Sequence, residues 1–260
     1  MKSKMYKLAF IAFITTVTSC GGNAGSENTG SAEVNPDSVA TTTQTNVPGE
    51  WVSLFDGSTL KGWHGYIKTG EVKNWTVQDR ALVCLGAAKD AHGGDLVSDK
   101  TYGNFELTCD WKVDKGSNSG VMYHVIEDAK YQAPYETGPE YQVIDDIGFP
   151  EKLEDWQKAG ADYAMTPANN KKHLNPVGQW NSSSIIYNNG HVEHWLNGEK
   201  VVEFEAGSDD WNKKRTEGKW KDYPDYAKAK TGKIALQDHG NKAYYRNIKI
   251  RELYLANLFY

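Results

Sequence analysis

The sequence predicts an all-β domain: a two-sheet antiparallel sandwich of jelly-roll type, with short helices set into long loops. From Trp51 onward, apolar residues alternate more often than they recur at helical spacing. Turn chemistry punctuates the alternation at Asp56-Gly57, Asn188-Asn189-Gly190 and Asn197-Gly198, the last two flanked by strand-like sequence as hairpins require. A content of 25 Gly, 15 Tyr and 9 Trp favours turns, strands and aromatic surfaces over a helical bundle. With about 210 residues in one run of strands and no internal repeat, a single sandwich is the economical architecture.

The chain opens with Lys2, Lys4 and Lys7 ahead of an apolar stretch from Leu8 to Val17. That is the pattern of a secretory signal, too short for a stable transmembrane helix. Val17-Thr18-Ser19-Cys20-Gly21 follows and resembles the lipobox of bacterial lipoproteins, in which the Cys is lipidated and becomes the mature N-terminus. Residues 1–19 are therefore predicted to be a lipoprotein signal peptide and Cys20 the lipidation site, with the protein anchored in the cell envelope on the periplasmic or the outer-membrane side. An ordinary secreted protein with a free Cys near its cleavage site is the plainer alternative. Residues 21–49 contain no aromatic residue, no Leu or Ile and no Lys or Arg. They cannot bury enough apolar area to fold, so residues 20–50 are predicted to be a flexible tether with a reach of roughly 30 Å, and residues 51–260 the β-sandwich domain.

With 29 Lys plus Arg against 34 Asp plus Glu the formal charge is −5; losing the signal leaves 26 against 34, or −8. Nucleic acid is a poor partner for so acidic a chain, and a membrane is expected to be met only through the lipid anchor. Beyond the N-terminus no apolar run is long enough to span a bilayer. Alternation buries Cys84 beside Leu82, and Cys109 beside Phe105, Leu107 and Trp111. A disulfide, permitted by export, and two buried free thiols both fit this pattern.

Ten strands are predicted, at 75–77, 81–85, 105–113, 120–125, 141–144, 184–187, 191–196, 200–204, 233–236 and 243–250. Two stretches break the pattern: residues 151–159, with Gly160 behind them, predict a short helix, and Ser208-Asp209-Asp210 predicts an N-cap and acidic first turn for a second helix to about Arg215. Both lie inside long connections, 146–179 and 207–231. Such lengths are uncommon without a function, so they are expected to wall a site. The Lys-rich stretch 213–233 is expected to be a solvated face.

Side chains alternate with period two along a strand, so Glu140 and Gln142 share one face. A β-bulge would bring Asp145 to the same face, giving a Glu-x-Gln-x-x-Asp row. The same counting turns Gln237 and His239 away from Leu236, His124 with Met122 away from Val121 and Tyr123, and Glu193 with Trp195 away from Val192 and Leu196. Together they predict a polar, aromatic-flanked trough.

Several blocks in order then point to a family: Ser53-Leu54-Phe55-Asp56-Gly57, Asn118-Ser119-Gly120-Val121, Glu140-Tyr141-Gln142-Val143-Ile144-Asp145, Gly178-Gln179-Trp180-Asn181, His194-Trp195-Leu196-Asn197-Gly198, Leu236-Gln237-Asp238-His239-Gly240 and Arg246-Asn247-Ile248. Over residues 51–253 the chain resembles the 3-keto-disaccharide hydrolase domain family. The resemblance implies a concanavalin-like sandwich that binds carbohydrate, with members that cleave glycosides already oxidised to a ketone at C3. In that family the strand after Asn118-Ser119-Gly120 often ends in Arg, where this chain has His124.

A 3-keto sugar sets those residues a definite task. The ketone acidifies the C2 hydrogen, a base removes it, the enolate expels the C1 substituent, and hydration completes a net hydrolysis. The base is expected to be His239 in the first place and Glu140 in the second, with His124 as a third catalytic candidate. Asn118, Gln142, Asp145, Asn181, Glu193 and Gln237 suit sugar hydroxyls, and Tyr163, Trp180 and Trp195 the apolar face of a pyranose. No cofactor is implied; a divalent metal held by a His and carboxylate or amide oxygens would serve at the enolate oxygen, although no spacing matches a zinc signature. The rival from another class is a non-catalytic glycan-binding lipoprotein on the same sandwich.

Overall fold

The computed structural model describes residues 43–68, 70–86 and 94–258, so the signal peptide, Cys20 and most of the tether lie outside the described residues. The described residues form two antiparallel sheets. The larger takes β4 (Trp75–Gln78), β5 (Ala81–Leu85), β7 (Phe105–Val113), β10 (Asn181–Asn188), β11 (His191–Leu196), β12 (Glu199–Glu205) and β14 (Lys242–Leu258) in the order β12-β11-β10-β7-β14-β5-β4, with β1 (Thr43–Pro48) and β2 (Val52–Ser53) also pairing β14. The smaller takes β3 (Trp63–Gly65), β6 (Leu96–Tyr102), β8 (Asn118–Val125), β9 (Glu140–Ile144) and β13 (Gly232–Leu236) in the order β3-β6-β13-β8-β9. Each of the ten strands expected from alternation is present.

The larger sheet's inner face follows from β7, where Phe105, Leu107, Cys109, Trp111 and Val113 are buried and their neighbours are not. Val121, Tyr123, Tyr141, Val143, Ile234 and Leu236 of the smaller sheet pack against them in one apolar core. Buried polar atoms between the sheets find partners, as they must in a low dielectric: Ser183 Oγ accepts from Trp111 Nε1 at 2.7 Å and lies 2.6 Å from Tyr141 Oη. Cys84 and Cys109 are free thiols on non-adjacent strands.

Four strands escaped the alternation. Three are short or polar, and β6 reads Leu-Val-Ser-Asp-Lys-Thr-Tyr because three consecutive positions face water. The fourth corrects the tether: Thr43–Pro48 pairs with β14 in register from Thr43 opposite Leu258 to Pro48 opposite Leu253. Ladder hydrogen bonds use backbone groups that every non-proline residue carries, so a segment lacking an apolar face still adds to a strand already in place. The helix expected at 151–159 shrinks to one 3-10 turn, Asp155–Gln157. The second helix forms at Asp209–Glu217 (α1), with Ser208 Oγ accepting from Trp211 N.

Candidate active site

On the outer face of the smaller sheet, the side chains that alternate away from the core point into a cavity of about 180 Å³ lined by Asn118, Glu140, Gln142, Gln237 and His239. The register explains the grouping. Gly120 lies opposite Gln142 and Met122 opposite Glu140, while Gln237 N donates to Gly120 O at 2.9 Å, so three neighbouring strands present one polar row. Gly120 leaves the room that the Glu140 carboxyl occupies, since a Cβ would come within 2.0 Å of Glu140 Oε1. Asp238 anchors the end of β13: its Oδ2 accepts from Asn74 Nδ2 at 2.9 Å, its Oδ1 from Gly240 N at 2.9 Å, and its own N–H donates to Asp95 Oδ1 at 2.8 Å. That inward clamp leaves Gln237 and His239 facing outward, with His239 exposed at the rim.

Loops roof the row. Residues 160–163 continue the sheet beside β9, with Gly160 N donating to Gln142 O and Tyr163 N to Glu140 O, which sets Tyr163 over the glutamate. A second layer follows α1. The 3-10 turn Lys219–Asp222 carries Trp220, whose Nε1 donates to Tyr163 O at 3.3 Å and whose ring stacks on Tyr226 at 4.0 Å. Tyr135 and Tyr223 meet edge to face, their centroids 5.8 Å apart. Tyr135, Tyr163, Lys219, Trp220 and Tyr223 complete the lining.

Electrostatics follow from that roof. Burial pushes the Glu140 carboxyl up to about 8, offset in part by the Lys219 charge and reinforced by Asp95 and Asp162. Asp95 is itself raised to about 7, chiefly by burial. Asn118 Oδ1 and Gln237 Oε1 are buried without a hydrogen-bond partner among the described residues. A buried acceptor left unpaired is costly, and ligand hydroxyls would satisfy both.

The remaining expected residues lie elsewhere. His124 does not join Met122: the four residues of β8 from Met122 to Val125 lie opposite three of β13, Ala235 to Lys233, a bulge at which His124 takes φ 53°. Its ring packs 4.2 Å from Tyr187, its Nε2 bonds Gly103 O at 2.8 Å, and burial lowers its pKa. Asp145 is not brought round to the row. Its carboxylate accepts from Gly116 N, Ile147 N and Gly148 N, which outweigh burial and hold it below the usual range. Asn181 Oδ1 accepts from Asn175 N and Asn197 Nδ2.

Glu193, Trp195 and Trp180 lie outside the cavity, on the larger sheet and at its end. Trp195 Nε1 donates to Glu193 Oε2 at 2.7 Å, and Trp180 stacks under Arg246 at 4.0 Å. These residues alternate as counted, but their sheet turns its other face to the core. His191, Glu193 and Glu203 are the group of three among the described residues close enough to hold a metal ion. Lys200 Nζ already stands 3.1 Å from Glu193 and 2.8 Å from Glu203.

A larger groove of about 490 Å³ runs beside Trp111, Ile144, Leu174 and Val177. Its acids are committed, Asp145 to backbone amides and Asp146 to Lys172, so the smaller cavity is the chemically competent one. Tyr135, Lys219, Trp220 and Tyr223 were not singled out by alternation. The one sequence cue was the aromatic interleaving of Lys219-Trp220-Lys221-Asp222-Tyr223 within a long connection.

An ionisable floor under an aromatic roof, carried on one face of a sandwich sheet, is the kind of site that an enzyme acting on sugars presents. Comparison gives the family. Residues 50–251 match the 3-keto-alpha-glucoside-1,2-lyase-like domain, and the chain belongs to that family. A 3-keto-disaccharide hydrolase from Bacteroides thetaiotaomicron is 32% identical over 228 residues, 78% of each chain. A crystal structure provisionally described as a glycosyl hydrolase of Parabacteroides distasonis is 46% identical with a TM-score of 0.73, covering 79% of this chain and 94% of that one. A second from the same organism is 28% identical with a TM-score of 0.59, covering 78% and 99%.

Proposed function

We propose that the protein cleaves 3-keto-glycosides in this cavity by removing the C2 proton, eliminating the C1 substituent and hydrating the product. What carries this reading is that the cavity is lined by a single carboxyl, Glu140, held near neutrality. Hydrolysis of an unoxidised glycoside by the usual route calls for two carboxyls about 5 to 9.5 Å apart, whereas elimination from a ketone needs one base of pKa close to the working pH. The volume, about 180 Å³ or roughly six liquid-water volumes, suits one pyranose ring. The relative from Bacteroides thetaiotaomicron, named a 3-keto-disaccharide hydrolase, supports the substrate class.

Glu140, at the floor, takes the proton from C2. The C–H pair becomes the C2=C3 bond and the carbonyl pair moves to O3. Collapse of that enolate forms C1=C2 and releases the C1 oxygen with its bonding pair, protonated from His239 at the rim. Water then adds at C1 and C2 regains a proton. Asn118, Gln142 and Gln237 bind ring hydroxyls and Tyr163 flanks the ring.

The test is turnover of a 3-keto-glucoside and its unoxidised parent in deuterated water. Deuterium at C2 of the released keto sugar beyond non-enzymatic exchange, and no turnover of the parent, are expected; equal activity on the parent would sink the reading. His239→Ala should lose about 10²-fold in rate. We also propose that Cys20 anchors the mature protein in the cell envelope, to be checked by mass spectrometry for fatty acid on the native N-terminus.

A further inference from the structure

A base alone does not make an enolate; the charge that moves onto the ketone oxygen must meet a cation or donor already in place. The roof supplies one. Lys219 Nζ donates to Tyr163 Oη at 3.0 Å and lies 4.1 Å from the centroid of that ring and 4.9 Å from that of Trp220. No carboxylate pairs with it among the described residues. An ammonium has three donors and Tyr163 takes one. The same charge reaches Glu140, whose carboxyl it pulls down against the effect of burial. Glu140 and Lys219 therefore line one cavity of about 180 Å³, which joins a base for C2 with an electrophile for the neighbouring O3.

We propose that the Lys219 ammonium, together with the Tyr163 hydroxyl it charges, binds the substrate's ketone oxygen and stabilises the enolate, making the site selective for oxidised sugars. This rests on the elimination reading above. Tyr163 Oη accepts from Lys219 and turns its own proton towards O3; when the enolate collapses, the pair on O3 re-forms the carbonyl and both donors remain as they were. A hydroxyl at C3 develops no such charge and gains nothing from the cation.

The experiment compares wild type with Lys219→Met, Lys219→Arg and Tyr163→Phe on a 3-keto-glucoside in deuterated water, following turnover and C2 deuteration across pH 6 to 10, with folding checked by circular dichroism. Lys219→Met should lose about 10²- to 10³-fold in kcat with KM changed only a few-fold. Its deuteration rate should fall in parallel, and the pH midpoint assigned to Glu140 should move up because a cation has left its surroundings. Lys219→Arg should recover part of the rate and Tyr163→Phe lose about tenfold. A folded Lys219→Met enzyme with wild-type kcat and an unmoved midpoint would overturn the role of Lys219 while leaving the elimination reading intact. Wild-type turnover without C2 deuteration would remove both.

Discussion

Glu140 and Glu193 sit on outward faces of the two sheets, each with a Lys and a Trp close by, yet they are in opposite electrostatic states. Glu193 receives Trp195 Nε1 at 2.7 Å, Lys200 Nζ at 3.1 Å and His191 Nε2 at 3.4 Å, and these bonds outweigh partial burial and hold its carboxyl below the ordinary value. Glu140 lies beneath a roof of Tyr163 and Trp220, and burial raises it to about 8. The residue types are alike. What differs is whether loops have replaced water without replacing its hydrogen bonds. The larger sheet's glutamate belongs to a solvated ion network, and the smaller sheet's is poised to exchange a proton.

The comparison breaks most readily at Glu140. Glu140→Gln should lower kcat/KM for a 3-keto-glucoside by about 10³-fold or more, and the wild-type value should climb with pH through a midpoint near 8 and level off above it, as the base form fills. The same variant carries an opposite expectation for stability. Glu140 binds its proton more tightly when folded, so wild-type stability declines as pH rises from 4.5 towards 8. Glu140→Gln is therefore expected to melt higher than wild type at pH 9, by roughly 5 °C or more, and close to it near pH 4. An unchanged difference between the two pH values would mean the carboxyl is not desolvated.

Gly120→Ala comes next. Its Cβ would come within 2.0 Å of Glu140 Oε1, the mobile end of a side chain, so the carboxylate must swing aside. Turnover is expected to fall about tenfold or more, with melting shifted by only a few degrees. Gly232→Ala tests the bulge instead. There the new Cβ would meet the His124 backbone at 2.3 to 2.6 Å, and backbone does not give way, so a loss of about 2 kcal/mol or more in denaturant unfolding is expected. The smallest effect belongs to the other sheet: Glu193→Gln should leave turnover within twofold and cost no more than about 1 kcal/mol.

Much of the fold was legible because alternation and turn chemistry are local. Ten strands announced themselves by alternation, and the Asn197-Gly198 turn and the Ser208 cap lie where their side chains require. Glu140 with Gln142 on one face follows from the same counting because β9 runs regularly through both, and Gln237 with His239, just past the end of β13, keep the alternation because Asp238 is clamped inward. His124 escaped because one extra residue in β8 reverses every face beyond it, and a bulge depends on the partner strand, here on the room that Gly232 leaves.

The sequence by itself determined the sandwich, its buried stripes and which side chains turn away from the core, because each of these follows from chain geometry a few residues long. Only the tertiary structure decided which outward face is a site. Glu193 with Trp195 and Glu140 with Gln142 obey the same alternation, and nothing local tells a solvated face from a roofed one. The roof comes from residues 160–163, hydrogen-bonded beside β9, and from the 3-10 turn Lys219–Asp222 that packs on Tyr163, and both are held by tertiary contacts. Removing water is what raises the Glu140 carboxyl, and it is a property of the assembled loops.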